Sequence, residues 1–195
     1  MSTLTRCHWA KSTENMAHYH DHEWGVPVYD DLKLFQKLLL DMQQAGLSWS
    51  IVLNKRKDIL EAFDNFDPYI MISYDDEKIN SLLNNPKIIR NRLKIEAMIH
   101  NAKMYIKHFG QTVSFSNFLW SYVDHKVVVH DIKVPKDTPT ETDISKLISK
   151  DLKRLGFKFV GSITIYAFLQ AVGIYNDHQN DCFKKKITGE QSHEV

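Results

Sequence analysis

Residues 38–49 constrain the fold more than any other stretch, because they join one helix to another through a turn that contains glycine. The first helix has a polar start, and its apolar residues recur at helical spacing: Leu32, Phe35, Leu38, Leu39 and Met42. Gly46 is a candidate C-cap, since glycine enters the left-handed backbone region at little cost. Ser48 is a candidate N-cap for a second helix that begins at Trp49.

Asp41 is the unusual residue of this stretch. It shares a helical row with Leu34, Leu38 and Ala45, so we expect its carboxylate to face the apolar side. Burial of an unpaired carboxylate costs roughly several kcal/mol, so Asp41 needs a partner or a functional role. The spacing alone favours a structural role, in which the carboxylate accepts hydrogen bonds from nearby backbone N–H groups.

The remaining helical patterns predict an all-α protein. Helices are expected over residues 48–63, 75–83, 90–109, 114–119, 144–155 and 162–172, and only residues 126–130 resemble a strand. We predict a single helical domain over residues 1–183, with two lobes, and a disordered polar tail over 184–195. The stretch from Asp131 to Thr142 is expected to be a mobile loop.

The composition excludes several classes of protein. The formal net charge of +1 gives no global basic signal, so any contact with nucleic acid must come from local clusters of charge. The longest apolar run, residues 163–175, is interrupted by Gln170 and is too short to span a membrane. The first residues do not resemble a signal peptide, and two cysteines are too few for a secreted disulfide scaffold. We therefore expect a cytoplasmic protein with reduced thiols.

The two cysteines, Cys7 and Cys182, each have a histidine nearby. His20 follows Cys7 along the chain, and His178 precedes Cys182 by four residues, which would put both side chains on one face of a helical turn. Two thiolates and two imidazoles suit tetrahedral zinc, which would be structural and would join the two ends of the chain. Two unrelated free thiols remain the alternative. Two further histidines are rival ligands: His18 and His22.

Aromatic residues and a basic turn form two further constellations. Tyr19, Trp24 and Trp49, together with Asp41, are residue types that can hold a purine by stacking and by accepting a hydrogen bond from its amino group. A role in the core is the alternative for these rings, and it is the preferred interpretation for two other tryptophans: Trp9 and Trp120.

Four cations surround the turn between the predicted helices at 75–83 and 90–109: Lys87, Arg90, Arg92 and Lys94. Backbone N–H groups and cations at such a turn can bind a DNA phosphate, as in a helix–hairpin–helix element. The turn lacks the glycines common in such hairpins. A solvated basic helix face is the alternative.

Several motifs, in order along the chain, resemble the type I DNA-3-methyladenine glycosylases of the helix–hairpin–helix superfamily. They are residues 6–9 (RCHW), 19–27 (YHDHEWGVP), 43–49 (QQAGLSW), 88–95 (IIRNRLKI), 118–121 (FLWS), 156–161 (GFKFVG) and 176–178 (NDH) with Cys182. The resemblance covers residues 6 to about 182.

This resemblance implies a two-lobed helical enzyme that flips 3-methyladenine out of double-stranded alkylated DNA and releases the free base. It implies a structural zinc ion, with four ligands: Cys7, His20, His178 and Cys182. It assigns base binding to Tyr19, Trp24 and Trp49 and the contact with the base edge to Asp41. No membrane partner and a monomeric state are expected.

Two positions depart from the family pattern. The family has a glutamate where this chain has Asp41, which keeps the charge but is shorter by one carbon–carbon bond. The family often has a tyrosine where this chain has Met16, which cannot donate a hydrogen bond. The alternative function is therefore a non-catalytic protein that binds alkylation lesions in DNA, and the third hypothesis is a helical domain without a base pocket.

Overall fold

The computed structural model describes residues 4–111 and 113–185 and is mostly helical. Its α-helices are α1 (Glu14–His22), α2 (Asp31–Gln43), α3 (Trp49–Ala62), α4 (Pro68–Met71), α5 (Asp76–Asn84), α6 (Arg92–Phe109), α7 (Phe115–Trp120), α8 (Asp143–Arg154) and α9 (Ser162–Ala171). Short 3-10 turns lie at His8–Lys11, Asp64–Phe66, Ser121–Val123 and Pro135–Asp137. Two short strands, β1 (Val128–Val129) and β2 (Tyr175–Asn176), pair in parallel.

Helix α2 lies at the centre of the large hydrophobic core and packs against α3, α6, α7 and α9. Its core side chains are fully buried, among them Leu34, Phe35, Leu38 and Leu39. The carboxylate of Asp31, in the first turn of α2, accepts hydrogen bonds from the backbone N–H groups of Phe115 and Ser116, at 3.0 and 2.8 Å. These bonds satisfy donors that a helix start leaves unpaired, so α2 also caps α7.

A smaller hydrophobic cluster lies where the two ends of the described chain meet. It contains Cys7 and Cys182 together with Met16, Tyr19, Trp24, Leu53 and Ala171. The backbone N–H of Phe183 donates to the carbonyl oxygen of Thr5, at 3.0 Å. The first and last described segments are therefore held together by backbone as well as by side chains.

The helical prediction is confirmed, with small shifts at the helix ends. Helix α2 ends at Gln43, and Gly46 lies beyond its cap with φ +76°, the left-handed conformation that favours glycine. Ser48 is the residue before α3, but its hydroxyl makes no capping bond and lies 3.0 Å from that of Ser50. The stretch expected to be a strand contributes β1, whose partner β2 comes from the other end of the chain.

Several other predictions from the sequence are not confirmed. Residues 178–182 form a loop and a turn rather than a helix. The prediction that His178 and Cys182 lie on one face of a helical turn is therefore wrong. The division into two lobes and the mobility of residues 131–142 stay predictions. Lys184 and Lys185 are helical and residues 186–195 lie outside the described residues, so the disordered tail stays a prediction.

Candidate active site and metal centre

A cavity of about 370 Å³ lies beside the small cluster. Four aromatic residues line it: Trp9, Tyr19, Trp24 and Trp49. Asp41, Gln44 and Asp177 contribute polar groups, and Met16 contributes a thioether. The cavity is large enough for a purine and offers both flat apolar faces and a carboxylate.

Asp41 lies near the end of α2, is 4% exposed, and lines the cavity. One carboxylate oxygen, Oδ1, is 3.4 Å from Nζ of Lys37, one helical turn earlier. The other, Oδ2, is buried without a hydrogen-bond partner. Burial raises the pKa of Asp41, and the charge of Lys37 offsets part of that effect. Because its carboxylate binds a lysine rather than backbone N–H groups, the capping role favoured by the spacing is wrong.

The aromatic rings of the site pack against one another in pairs. The ring centroids of Tyr19 and Trp49 are 5.1 Å apart, with planes tilted by 44°. Trp9 lies edge-on to Trp24, with centroids 5.1 Å apart. Trp49 is half-buried, and its indole N–H has no partner among the described residues. Trp49 and Asp41 thus each contribute one buried polar atom without a protein partner among the described residues.

The four predicted metal ligands form one buried group. Their ligand atoms all lie within 4.8 Å of one another. Sγ of Cys7 is 3.6 Å from Nδ1 of His178, and Sγ of Cys182 is 3.4 Å from Nε2 of His20. A tetrahedral zinc ion with ordinary Zn–S and Zn–N bonds requires S···N separations of about 3.6 Å. The donor set and its spacing thus fit a four-coordinate zinc ion.

A second layer of contacts orients these ligands. Nδ1 of His20 is 2.8 Å from Oδ1 of Asp21, which Arg6 binds through two nitrogens, and such carboxylate partners commonly orient metal-binding histidines. Hydrogen bonding with Cys7 lowers the pKa of Cys182, despite the burial of its thiol. The rival ligands, His18 and His22, are exposed and lie outside the group.

Gly25 makes room for one ligand. Its φ is +76°, and a Cβ atom there would lie 2.7 Å from Nε2 of His178. Any other residue would therefore be strained and would push the imidazole.

The basic turn between α5 and α6 presents three of its four predicted cations to solvent. Lys87, Arg90 and Arg92 are exposed. Arg92 pairs with Glu96 at 3.3 Å, and Lys87 lies 3.9 Å from Asp58. These weak surface contacts leave the cations accessible.

Lys94 is placed differently, because it is 6% exposed. Its ammonium donates to the carbonyl oxygens of Gln43 and Ala45, at 2.8 and 2.7 Å. It thereby binds two of the carbonyls that the end of α2 leaves without helical partners. This placement does not favour a phosphate contact for Lys94. Instead, it fixes the turn between Asp41 and Trp49 to the start of α6.

The structure also identifies site residues that the sequence reasoning missed. Trp9, assigned to the core, lines the cavity, whereas Trp120 is buried as expected. Lys37 could have been found from the sequence, because it lies four residues before Asp41 and therefore next to it on the helix surface. Asp177 binds His130 at 2.7 Å and Gln170 at 2.7 Å, and only its place beside His178 pointed to it.

Comparison with known proteins identifies the relatives of this chain. The family model for methyladenine glycosylase matches residues 9–185. A DNA-3-methyladenine glycosylase from Haemophilus influenzae is 45% identical over 178 residues, which cover 91% of this chain and 96% of that protein. DNA-3-methyladenine glycosylase 1 from Escherichia coli is 41% identical, over 92% of this chain and 96% of that protein.

Solved structures agree with these sequence matches. 3-Methyladenine DNA glycosylase I from Staphylococcus aureus, solved to show how it recognises 3-methyladenine, superposes with a TM-score of 0.88 at 39% identity. The match covers 93% of this chain and 97% of that one.

Replacement of Lys94 by methionine should destabilise the protein. Methionine keeps the unbranched apolar part of the side chain but leaves two carbonyl groups without their charged donor, so we expect a loss of about 2–3 kcal/mol in the free energy of unfolding. Urea denaturation followed by circular dichroism measures it. Lys103→Met, at an exposed position on α6, is the matched control. Equal stabilities of the two variants would contradict the role given to Lys94.

Proposed function

Because the chain belongs to the methyladenine glycosylase family, we propose that it excises 3-methyladenine from alkylated duplex DNA by hydrolysis of the N-glycosidic bond. The observation that carries the proposal is that Asp41, whose Oδ2 is buried and unpaired, lines a cavity walled by aromatic rings. An unsatisfied buried acceptor costs free energy in the absence of ligand. The amino group of a flipped adenine would remove that cost.

The chemistry requires little from the protein. A base methylated at N3 carries a positive charge while it is attached to the sugar, so it leaves as a neutral molecule without being protonated. The protein must flip the nucleotide, at a cost of roughly a few kcal/mol that is smaller for a damaged base, and hold it in place. Water then adds to the sugar carbon and loses a proton, and the second product is DNA with an abasic site.

The proposed roles follow from the positions of the side chains. Trp49 offers a half-buried ring face for stacking, and Trp24 forms part of the cavity wall. Tyr19 is 2% exposed, and burial raises the pKa of its hydroxyl well above the ordinary value, so it acts as a neutral phenol. Asp41 is the proposed catalytic residue, because it would contact the base edge.

Replacement of Asp41 by asparagine should slow the release of base. The variant keeps the size of the side chain but loses the charged acceptor, so we expect single-turnover excision to fall by about 10- to 100-fold. Chromatography of the free 3-methyladenine released from alkylated DNA measures the rate. Glu61→Gln, on the exposed face of α3, should leave it unchanged.

The same assay separates this function from the alternative. If the folded wild-type protein binds alkylated DNA but releases no base above spontaneous loss, the protein is a non-catalytic lesion binder. If the Asp41 variant works at the wild-type rate, Asp41 does not contact the base.

The turn between α5 and α6 is the proposed DNA contact, with Lys87, Arg90 and Arg92 as phosphate ligands. Support comes from their exposure and from the link through Lys94 to the turn that carries Trp49. Assignment to the helix–hairpin–helix superfamily remains a prediction.

The charge of each arginine should appear in the salt dependence of DNA binding. Each phosphate contact contributes about −0.9 to the slope of log K against log salt concentration. Arg90→Gln should therefore weaken binding and reduce the slope by about that amount, as measured by fluorescence anisotropy on undamaged duplex. Lys150→Gln, exposed on α8, is the control. An unchanged slope for the Arg90 variant would remove it from the interface.

The proposed metal is zinc, held by Cys7, His20, His178 and Cys182. A closed set of four protein ligands makes the ion structural, and the free energy of its binding would stabilise the folded state. It would fix His20 next to Tyr19 in α1, and so position one wall of the cavity.

Loss of one ligand should release the metal and lower the melting temperature. Cys182→Ser removes a thiolate, so we expect loss of stoichiometric zinc in elemental analysis and a fall of several degrees in Tm. His18→Ala removes an exposed histidine outside the group and should retain both. Full zinc content in the Cys182 variant would show that these residues are not the ligands.

The proposed compartment is the cytoplasm, because both cysteines are free thiols in a metal-type cluster. Within residues 4–111 and 113–185, no helix has the length and apolar character needed to cross a membrane.

A further inference from the structure

Lys37 lies behind the wall of the cavity, in α2. Only 16% of its side chain is exposed. Its ammonium donates to the hydroxyl of Tyr19 at 2.7 Å and lies 3.4 Å from Oδ1 of Asp41. Burial lowers the pKa of Lys37, and the charge of Asp41 offsets part of this. The lysine thus contacts two of the groups proposed to hold the base.

The same ammonium lies over two aromatic faces. Nζ of Lys37 is 4.3 Å from the ring centroid of Trp49 and 4.7 Å from that of Tyr19, both within range of a cation–π contact. A base stacked between two rings needs centroids roughly 7 Å apart, twice the contact distance, whereas these are 5.1 Å apart. No base fits between Tyr19 and Trp49, and Nζ of Lys37 lies beside this ring pair, so a base that stacks on Trp49 would use its other face.

The charges around Lys37 form two compensated pairs. Three charged groups act on Lys37: Asp41, Glu23 and Arg56. Arg56 binds the carboxylate of Glu23 at 2.5 and 2.9 Å, so this pair is compensated. Lys37 compensates Asp41 in turn. A cationic base at Asp41 consequently meets a paired carboxylate rather than a free one, whereas Asp177, the second carboxylate of the cavity lining, binds His130 and Gln170.

We propose that Lys37 is a specificity-determining residue that acts through Asp41 and Trp49 to reduce the preference of the cavity for positively charged purines over neutral ones. The inference rests on the proposed function in one respect, that the ligand is a methylated purine. Lys37 is a positioning residue, because it does not line the cavity itself.

Lys37 would also affect the bond-breaking step. When the bond between the sugar carbon and the base breaks, the electron pair goes to the base, which loses its positive charge. The positive charge of Lys37, next to Trp49, raises the free energy of the bound cationic base before the glycosidic bond breaks. It has no such effect on the neutral base that is present afterwards. Loss of Lys37 should therefore tighten binding of the charged lesion without a matching gain in the excision rate.

The decisive experiment compares two free ligands by tryptophan fluorescence. The first is 3-methyladenine, measured at a pH where it is neutral, and the second is 3,9-dimethyladeninium, which is permanently charged and mimics the base attached to its sugar. Lys37→Met and Lys37→Gln remove the charge, and the glutamine keeps a donor for Tyr19. In both variants we expect the dissociation constant of the cation to fall about tenfold relative to that of 3-methyladenine.

Two matched variants keep the experiment interpretable. Lys37→Arg retains the charge, and Lys33→Met removes an exposed lysine from the same helix. Both should keep the wild-type ratio. Near-UV circular dichroism establishes that each variant is folded, and the ratio cancels a general loss of affinity, which a merely structural role would produce.

Each remaining outcome overturns the inference. A ratio within twofold of wild type in both uncharged variants would show that Lys37 does not set charge preference. Absence of binding by either ligand to the wild type would show that the cavity is not a purine site. Failure of the proposed function is separate: it appears as binding with a normal shift in ratio but no release of base from alkylated DNA.

Discussion

A carboxylate buried at the end of the central helix is the constraint on which the site depends. Asp41 is 4% exposed, and removal of a charge from water is costly unless partners compensate it. The protein supplies one partner, Lys37, and leaves the second oxygen unpaired. A cavity with an unsatisfied acceptor is less stable empty than filled by a donor. Under the proposed function, the same burial that costs stability would provide selectivity for a ligand with an amino group.

The end of α2 has to be held firmly for this arrangement to persist. Lys94, from the start of α6, binds the carbonyl groups of Gln43 and Ala45. At the other end of α2, Asp31 caps α7. The turn that carries Trp49 is thus fixed from outside rather than by its own sequence. A displacement of about 1 Å at a reacting centre can cost about a hundredfold in rate, so these distant contacts bear on function.

The cluster of cysteines and histidines connects the chain ends to the cavity wall. His20 is adjacent to Tyr19 in α1, and the ring of His178 lies 4.7 Å from that of Trp24. The cavity lining includes Cys7 itself. A structural metal at this point would stabilise the wall of the site as well as the fold. It would do so without taking part in the chemistry, because four protein ligands leave no open position.

Much of the helical structure could be predicted from the sequence. Helical periodicity located α2, α3, α5, α6, α8 and α9, because an amphipathic face must repeat every 3.6 residues wherever it packs. The position of Asp41 in an apolar row predicted its burial, and the glycine at 46 predicted the left-handed turn. The motifs placed the chain in its family, since residue types at the chain ends and around the glycine turn are specific to it.

Other features required the tertiary structure. No pattern within residues 88–95 distinguishes Lys94, which is buried, from Arg90 and Arg92, which are exposed. Likewise, the two rings near the ammonium of Lys37 belong to Tyr19 in α1 and Trp49 in α3. The spacing of Lys37 from Asp41 within α2 could not predict these contacts. The sequence determined the helices and the buried acid, because these follow from local spacing and side-chain chemistry, whereas the four metal-type residues were indicated by the family resemblance. Only the tertiary structure decided which charge faces which partner, because electrostatic contacts depend on distances between segments far apart in the chain.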